Sequence, residues 1–320
     1  MKRFFIFLTA LVWASNFQAQ ERIEPVPFGD MEQWAVRYIK ESRLIGGKTR
    51  ILYAIAPTDT IRKNEAFVYG RQGCPWTVSS AYARVAGIDK ASGSVRPDKH
   101  GDGLCCRLDS KMDRVIALGI IKLKVLVSGT IFTGVTLEPV TNEGTSNPYS
   151  VVDMGVPFTK HPVAMLLDYK AHVEESDEII SAKAVAHPTI KKGRDAADIY
   201  IVLQKRWEDT KGNIHALRVA TGHERIFHST GWKEDHRIPI YWGDELLRQP
   251  EYKDYMGIGA HIAMTRNSKG KMVPIQEEGF SNDDAPTHMI IACSSGCCEA
   301  FEGHAGNTLW VDNIRLVYAQ

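Results

Sequence analysis

The sequence lacks any apolar run long enough to cross a bilayer, and it lacks an excess of charge of either sign. Its 320 residues carry 39 basic and 38 acidic side chains, so the formal net charge is +1. Proteins that bind nucleic acid or an anionic membrane surface through charge normally show a basic excess. The balance argues against both partners and favours a neutral ligand.

The sequence also lacks the short motifs that mark common catalytic and metal sites. It contains no HExxH, CxxC or GxSxG, which are signatures of zinc proteases, thiolate metal sites and serine hydrolases. Without such spacing, His215, His223 and His228 are interpreted as ordinary polar side chains. Cys293, followed closely by Cys297 and Cys298, offers soft ligands but no paired spacing. The six cysteines permit disulfides in an exported protein, with pairings that the sequence leaves open.

The first residues have the pattern of a secretory signal. Lys2 and Arg3 precede a short apolar run, and Ala19 puts a small residue at the expected cleavage point. The run is too short for a membrane helix. We expect a signal peptide over residues 1–19 and one mature domain over residues 20–320, without a transmembrane segment. This predicts a location in the periplasm or at the cell surface.

Alternation of apolar and polar residues indicates a chain built mostly of strands. Turn residues at Glu208–Asn213 and within His261–Pro274 separate strand-like runs and predict two hairpins. The sequence has no repeat and no Pro- or Ser-rich linker. These features predict an all-β fold, a jelly-roll-like β-sandwich with one or two short helices. The main predicted strands are Val115–Val127, Asp198–Trp207, Met289–Cys293 and Leu309–Tyr318.

Three local features refine this prediction. Asp30–Ser42 has apolar residues at helical spacing behind a capping-box pattern, which predicts a helix. Asp244 is predicted to cap a helical turn through Leu247. In the last strand the apolar parity changes at Asp312 and Asn313, which predicts a β-bulge.

Five segments together resemble a known family. They read PFGDMEQW, IFTG, GVPFTKHPVAMLLDYKAHV, DIYIVLQKRW and SSGCCEAFEGHAGNTLWVDNIRLVY. The pattern is similar to the carbohydrate metabolism domain family of exported proteins in the Bacteroides group. The resemblance spans most of the mature chain and is strongest from Phe132 onwards. It implies a jelly-roll-like β-sandwich related in shape to carbohydrate-binding modules and some glycoside hydrolases.

The resemblance also implies a calcium site between the start of the chain and its last strand. Asp30 and Glu32 would meet Asp312 there, and backbone carbonyls would complete an oxygen shell of the kind that calcium requires. A metal-free interpretation stays open. In it, Asp30 caps a helix, Glu32 favours the helix N-terminus, and Asp312 lies at the bulge.

Aromatic side chains are the candidates for sugar binding, because sugar rings stack their C–H faces on flat aromatic rings. The segment at positions 231–245 concentrates aromatic residues among charged residues and proline, which is typical of an exposed loop or edge. Trp207 and Trp310 fall in predicted strands and are interpreted as core or sheet surface. The predicted carbohydrate-binding residues are Trp76, Trp232, Tyr241 and Trp242.

Three classes of function follow. The first is an exported protein that binds or processes an oligosaccharide or polysaccharide. The second is a glycoside hydrolase, which needs two carboxyl groups about 5–10 Å apart, but no pair stands out among the many acidic residues. The third is an adhesive or structural envelope module whose aromatic residues contact proteins.

Overall fold

A computed structural model describes residues 21–117, 121–141, 144, 147–182 and 187–320. The expected signal peptide lies outside these residues. Within them, no helix is both long and apolar enough to span a bilayer.

Strands dominate the described residues, and the 3-10 helices among them are short. In the first half the strands are β1 (Arg22–Pro25), β2 (Trp34–Lys40), β3 (Thr49–Ile55), β4 (Asp59–Ile61), β5 (Trp76–Val78), β6 (Ala81–Val85), β7 (Ile88–Ser92), β8 (Val95–His100), β9 (Gly103–Asp109), β10 (Lys111–Ala117), β11 (Ile121–Val127), β12 (Thr130–Thr136), β13 (Val152–Met154) and β14 (Val156–Pro157). In the second half they are β15 (Ala164–His172), β16 (Glu178–Ser181), β17 (Thr189–Lys192), β18 (Ala197–Glu208), β19 (Ile214–Ile226), β20 (Lys233–Pro239), β21 (Tyr241–Trp242), β22 (Met264–Arg266), β23 (Met272–Phe280), β24 (His288–Ser294), β25 (Glu302–Gly303) and β26 (Thr308–Tyr318). The 3-10 helices are η1 (Arg43–Ile45), η2 (Arg71–Gly73), η3 (Pro148–Val151), η4 (Gly243–Arg248) and η5 (Asp254–Met256).

Two large sheets form a sandwich. The smaller has the order β20-β15-β26-β9-β8, with β1 beside β26. The larger runs β13-β12-β24-β18-β19-β23-β22, and β5, β14 and β21 pair with its strands. Along that path every pair is antiparallel except β19–β23. The all-β prediction is therefore confirmed.

The core lies between the two sheets. Leu167 and Val311 from the smaller sheet share one buried cluster with Ile199 and Ile291 from the larger sheet. Residues of β2 and β3, including Trp34, join the same cluster. Burial of alternate residues on two facing sheets is the expected construction of a sandwich.

The predicted hairpins and most predicted strands are confirmed. β18 and β19 pair across the turn at Asp209–Asn213, and β22 and β23 pair across Asn267–Lys271. The predicted single strand Val115–Val127 is wrong: β10 and β11 are two antiparallel strands, with Ala117 opposite Ile121. Residues 118–120 lie outside the described part of the chain.

The predicted helix at Asp30–Ser42 is also wrong. Trp34–Lys40 is the strand β2, and all seven of its residues pair with β3. Ala35, Arg37 and Ile39 are buried, so the period is two rather than 3.6. Backbone pairing with β3 overrides the apolar spacing. The predicted turn near Asp244 is present as η4, although its N-cap residue is Trp242.

The predicted bulge in the last strand is confirmed. The register between β15 and β26 shifts between Leu166 and Asp168, opposite Arg315 and Asp312. Asn313 lies inside the shift with a φ of 51°. The bulge brings the apolar residues on both sides of it into the same core, as the change of parity requires.

Candidate functional site

An open cleft lies over the outer face of the larger sheet. Its floor follows from the alternation of β18, where Ile199 and Ile201 point into the core and Asp198 and Tyr200 point outward. A smaller cavity adjoins it and shares Tyr200 and His261. The cleft walls include Pro148, Tyr149, Ala260, His261, Ile262, Cys297, Cys298, Glu299 and Phe301.

A charged network forms one end of the floor. Asp198 lies opposite Arg225 in the β18–β19 pair, and His223 lies opposite Tyr200. The Oδ1 of Asp198 is 2.7 Å from His223 Nε2 and accepts a hydrogen bond from Arg225 Nε at 3.0 Å. Arg225 Nη2 donates to Oδ2 at 3.2 Å. The Asp198 and His223 side chains are only 5% and 1% exposed, so this network is fixed by the sheet.

The network sets the charge of Asp198. Burial acts to raise the pKa of this carboxyl group, but the hydrogen bonds and charges of His223 and Arg225 outweigh burial and lower the pKa to about 2. Asp198 is therefore an anion across the physiological range. It presents hydrogen-bond acceptors to the cleft.

His261 reaches the cleft from the loop after η5. Its ring stacks on Tyr200 with centroids 4.3 Å apart and planes 15° apart. Burial, together with the nearby cations, lowers the pKa of His261 to about 4, so the imidazole is neutral at pH 7. Its Nε2 is buried and has no hydrogen-bond partner among the described residues.

A buried ion pair holds that loop. Arg218 and Glu277 are 2% and 6% exposed, and Arg218 Nε donates to Glu277 Oε1 at 2.6 Å. Arg218 also donates to the carbonyl groups of Met256 and Gly257, at 3.3 and 3.5 Å. Gly259 N donates to Glu277 Oε2 at 3.1 Å. The sheet thus positions the loop through a charge pair that water hardly reaches.

The rims of the cleft supply further aromatic and polar groups. Tyr149 donates its hydroxyl to exposed Glu299 at 3.1 Å. Burial, then the Glu299 charge, raises the pKa of Tyr149 to about 12, so the phenol stays protonated. Beside the charged network, the guanidinium of Arg225 lies 3.8 Å from the ring centroid of Tyr255, a cation–π contact.

The cysteines do not act as one cluster. Cys293 is buried in the sandwich core, whereas Cys297 and Cys298 line the cleft. All six cysteines of the chain are free thiols in this structure. Cys298 Sγ and Cys297 N both contact the carboxylate of Asp195, which also accepts hydrogen bonds from Ala196, His304 and Asn307. Through these hydrogen bonds, Asp195 holds the segment that connects β24 to β26 in place.

A second polar group, the His100 cluster (His100, Asp168, Glu234 and Asp312), lies on the outer face of the smaller sheet. His100 Nδ1 is 2.8 Å from Asp312 and its Nε2 is 3.2 Å from Glu234. Trp232 stacks on the His100 ring at 3.7 Å. Burial raises the pKa of Asp312 to about 6, and the charge of Asp168 adds to the effect, against the opposing hydrogen bond from His100.

The predicted aromatic residues do not form one platform. Trp76 is fully buried, and its Nε1 donates to Pro27 O at 2.9 Å, so the expectation of an exposed ring is wrong at that position. Trp232 precedes β20, whereas Tyr241 and Trp242 follow it, so the length of this seven-residue strand, roughly 20 Å, lies between them. None of these residues lines the cleft over the larger sheet.

Two of the three predicted calcium ligands, Glu32 and Asp312, contact the β8–β9 hairpin. Glu32 accepts a hydrogen bond from Leu104 N at 2.9 Å, at the start of β9. Asp312 contacts His100, at the end of β8. Asp30 is exposed in the turn before β2. The calcium site stays a prediction.

The cleft itself was not found from the sequence. Asp198, Tyr200 and His223 belong to two adjacent strands that were predicted, so their common face follows once the pairing register is known. The sequence pattern puts His261 at the start of a strand-like run, whereas in the structure the strand β22 begins only at Met264 and His261 lies in the preceding loop. Its place beside Tyr200 depends on the buried contact between Arg218 and Glu277.

Two solved structures are remotely similar to this chain. No family model matches the chain, and no curated protein matches it. A crystal structure from Bacteroides thetaiotaomicron, provisionally described as a glycoside hydrolase, aligns with 89% of this chain and 71% of its own, at 16% identity and a TM-score of 0.45. Another from Bacteroides vulgatus, described in the same terms, aligns with 92% of this chain and 94% of its own, at 13% identity and a TM-score of 0.43. These values describe a distant similarity of shape.

Proposed function

We propose that this chain is an exported glycan-binding protein whose ligand lies in the cleft over the larger sheet. The observation that carries the proposal is the pairing of aromatic rings with fixed charged groups in one cleft, Tyr149 and Tyr200 beside Asp198 and Glu299. Protein sites for small ligands combine apolar walls with a few well-placed polar groups. The balanced net charge and the family resemblance support a neutral oligosaccharide or polysaccharide.

The chemistry of a sugar suits these groups. Each sugar hydroxyl both donates and accepts. Carboxylates such as Glu299 accept its hydrogen bond, and the phenol oxygen of Tyr149, whose own proton is given to Glu299, is a further acceptor. Asp198 is already ordered by His223 and Arg225. A ligand that meets ordered groups loses less conformational entropy on binding.

The test begins with a broad glycan array, followed by calorimetry on a glycan that binds. Tyr149→Phe and Glu299→Gln are expected to weaken binding by roughly 5- to 10-fold each, because each removes a polar contact worth about 1 kcal/mol. The matched controls are Tyr241→Phe and Glu251→Gln. Tyr241 also donates to an exposed Glu251, but the pair lies outside the cleft.

Two outcomes would contradict the proposal. One is a mature protein that binds no glycan on the array. The other is loss of binding in the Tyr241 variant or in Trp232→Ala with full binding in the cleft variants. The second outcome would place the ligand at the predicted aromatic residues around β20.

Glycoside hydrolysis is a second candidate, favoured by one observation. Asp312 has a raised pKa, and it lies in the His100 cluster with two more carboxyl groups, Asp168 and Glu234. Glycosidases use such a group as a general acid. The assay is release of reducing ends from the bound glycan. Asp312→Asn should abolish that release, and the candidate fails if the wild type releases none.

The calcium site at Asp30, Glu32 and Asp312 is proposed on the resemblance alone. The same array run with a calcium chelator tests it. Loss of glycan binding that added calcium restores supports the site, whereas unchanged binding together with no calcium uptake by calorimetry contradicts it.

A further inference from the structure

We propose that Asp198, His223 and His261 form a binding site for a divalent transition metal ion such as zinc. One ligand atom from each residue lies within 4.8 Å of the other two. The proposal concerns metal binding by the protein alone. It therefore does not depend on the glycan proposal.

The donor set selects the class of ion. Two imidazoles and one carboxylate suit zinc and other first-row transition metals. Calcium and magnesium prefer an all-oxygen shell, which this group does not offer. Asp198 and His261 both line the cleft, so an ion held by three protein ligands would have its remaining position toward the cleft.

His261 is the second observation that points to a ligand. A buried polar nitrogen without a hydrogen-bond partner destabilises the folded state. Nε2 of His261 is such an atom among the described residues. Its loop is nonetheless held firmly by Arg218 and Glu277, which keeps the ring beside Asp198 and His223. A metal bond would satisfy this nitrogen, directly or by a small rotation of the ring.

Neighbouring charges are compatible with an ion. Arg218 is neutralised by Glu277, and Arg225 is paired with Asp198. Arg225 Nη2 could keep its bond to Oδ2 and orient the carboxylate from the outer shell, as partners of metal ligands usually do. His223 Nε2 and Asp198 Oδ1 are now 2.7 Å apart. Two ligand atoms on one tetrahedral zinc ion are farther apart than this, and the two side chains would have to separate by less than about 1 Å to reach that distance.

Two other groups with metal-ligating side chains are weaker candidates. In the first, the Asp195 carboxylate beside Cys297 and Cys298 already accepts hydrogen bonds from five residues. In the His100 cluster, Asp168 is bonded to Asp235 N and Asn313 Nδ2. Neither group contains a buried ring nitrogen without a partner among the described residues.

The experiment uses the mature protein after treatment with EDTA and dialysis. Zinc binding is measured by calorimetry, and cobalt(II) is then added to look for the visible bands of a low-symmetry nitrogen and oxygen site. The wild type is expected to bind one ion, and His261→Gln should weaken binding by roughly tenfold or more. His228→Gln is the matched control, because His228 is exposed and lies outside the group.

Folding of each variant is checked by circular dichroism, and His223→Gln provides a second variant in the sheet. Absence of zinc binding by the wild type would overturn the proposal, as would equal binding by wild type and His261→Gln. Because no glycan is present, either result leaves the glycan proposal to its own test.

Discussion

Glu277 pairs with a buried arginine beneath the loop that forms one side of the cleft, and we expect Glu277→Gln to destabilise the fold by roughly 3–5 kcal/mol. Arg218 would keep its charge at 2% exposure without a counter-charge. The amide group of the Glu277→Gln variant has an N–H where the carboxylate has an oxygen. This N–H would face a group that now donates to Glu277, either Gln204 Nε2 or Gly259 N, so one hydrogen bond would be lost. Breaking one side of a buried pair is costly because the remaining ion stays desolvated.

The same reasoning predicts recovery when both charges are removed. Arg218→Met combined with Glu277→Leu should cost less than Glu277→Gln alone, because neither charge is then left buried. The difference is a coupling free energy, which a double-mutant cycle isolates.

The assay is urea unfolding at pH 7, with the free energy extrapolated to water. Glu278→Gln is the control. Glu278 is the next residue on β23, its side chain is 48% exposed, and its partner is His215. We expect this change to cost under about 1 kcal/mol. If Glu277→Gln costs no more than Glu278→Gln, the pair is not desolvated, and the account of how the loop is held is refuted.

Three other predictions concern the fold and the His100 cluster. Trp76→Ala should cost roughly 3–5 kcal/mol in the same unfolding assay, since the indole is fully buried; a cost below about 1 kcal/mol would place the ring at the surface. Asn313→Val should cost about 1–3 kcal/mol more than Asn313→Gly, because a β-branched residue does not tolerate a φ of 51°; equal costs would argue against the bulge. The Asp312 carboxyl should titrate near pH 6 by NMR. Its folded pKa is above the unfolded value, so stability relative to Asp312→Asn should increase as pH falls through 6, and a midpoint near 4 would contradict the burial.

Much of the sandwich follows from local pattern. The run DIYIVLQ predicts β18 because apolar residues occupy both faces, and the turn residues after Glu208 predict the hairpin to β19. The bulge at Asn313 follows from parity alone. These features depend on a few neighbouring residues, so a single sequence suffices to find them.

Features that depend on distant pairing were not predicted. The apolar spacing of residues 30–42 fits a helix as well as a strand, and only the contact with β3 decides between them. Trp76 follows Cys74-Pro75, a pattern typical of a loop, yet β5 pairs with β12 and buries the ring. In the site, His261 meets Asp198 through tertiary contacts that no local motif encodes.

Hydrogen exchange measured by mass spectrometry, with and without a glycan that binds, tests the central claim most directly. The account predicts slower exchange in the peptides that carry residues 148–152, 260–262 and 296–301, which border the cleft. Protection confined to residues 231–239 would move the ligand to the smaller sheet and contradict a glycan site in this cleft.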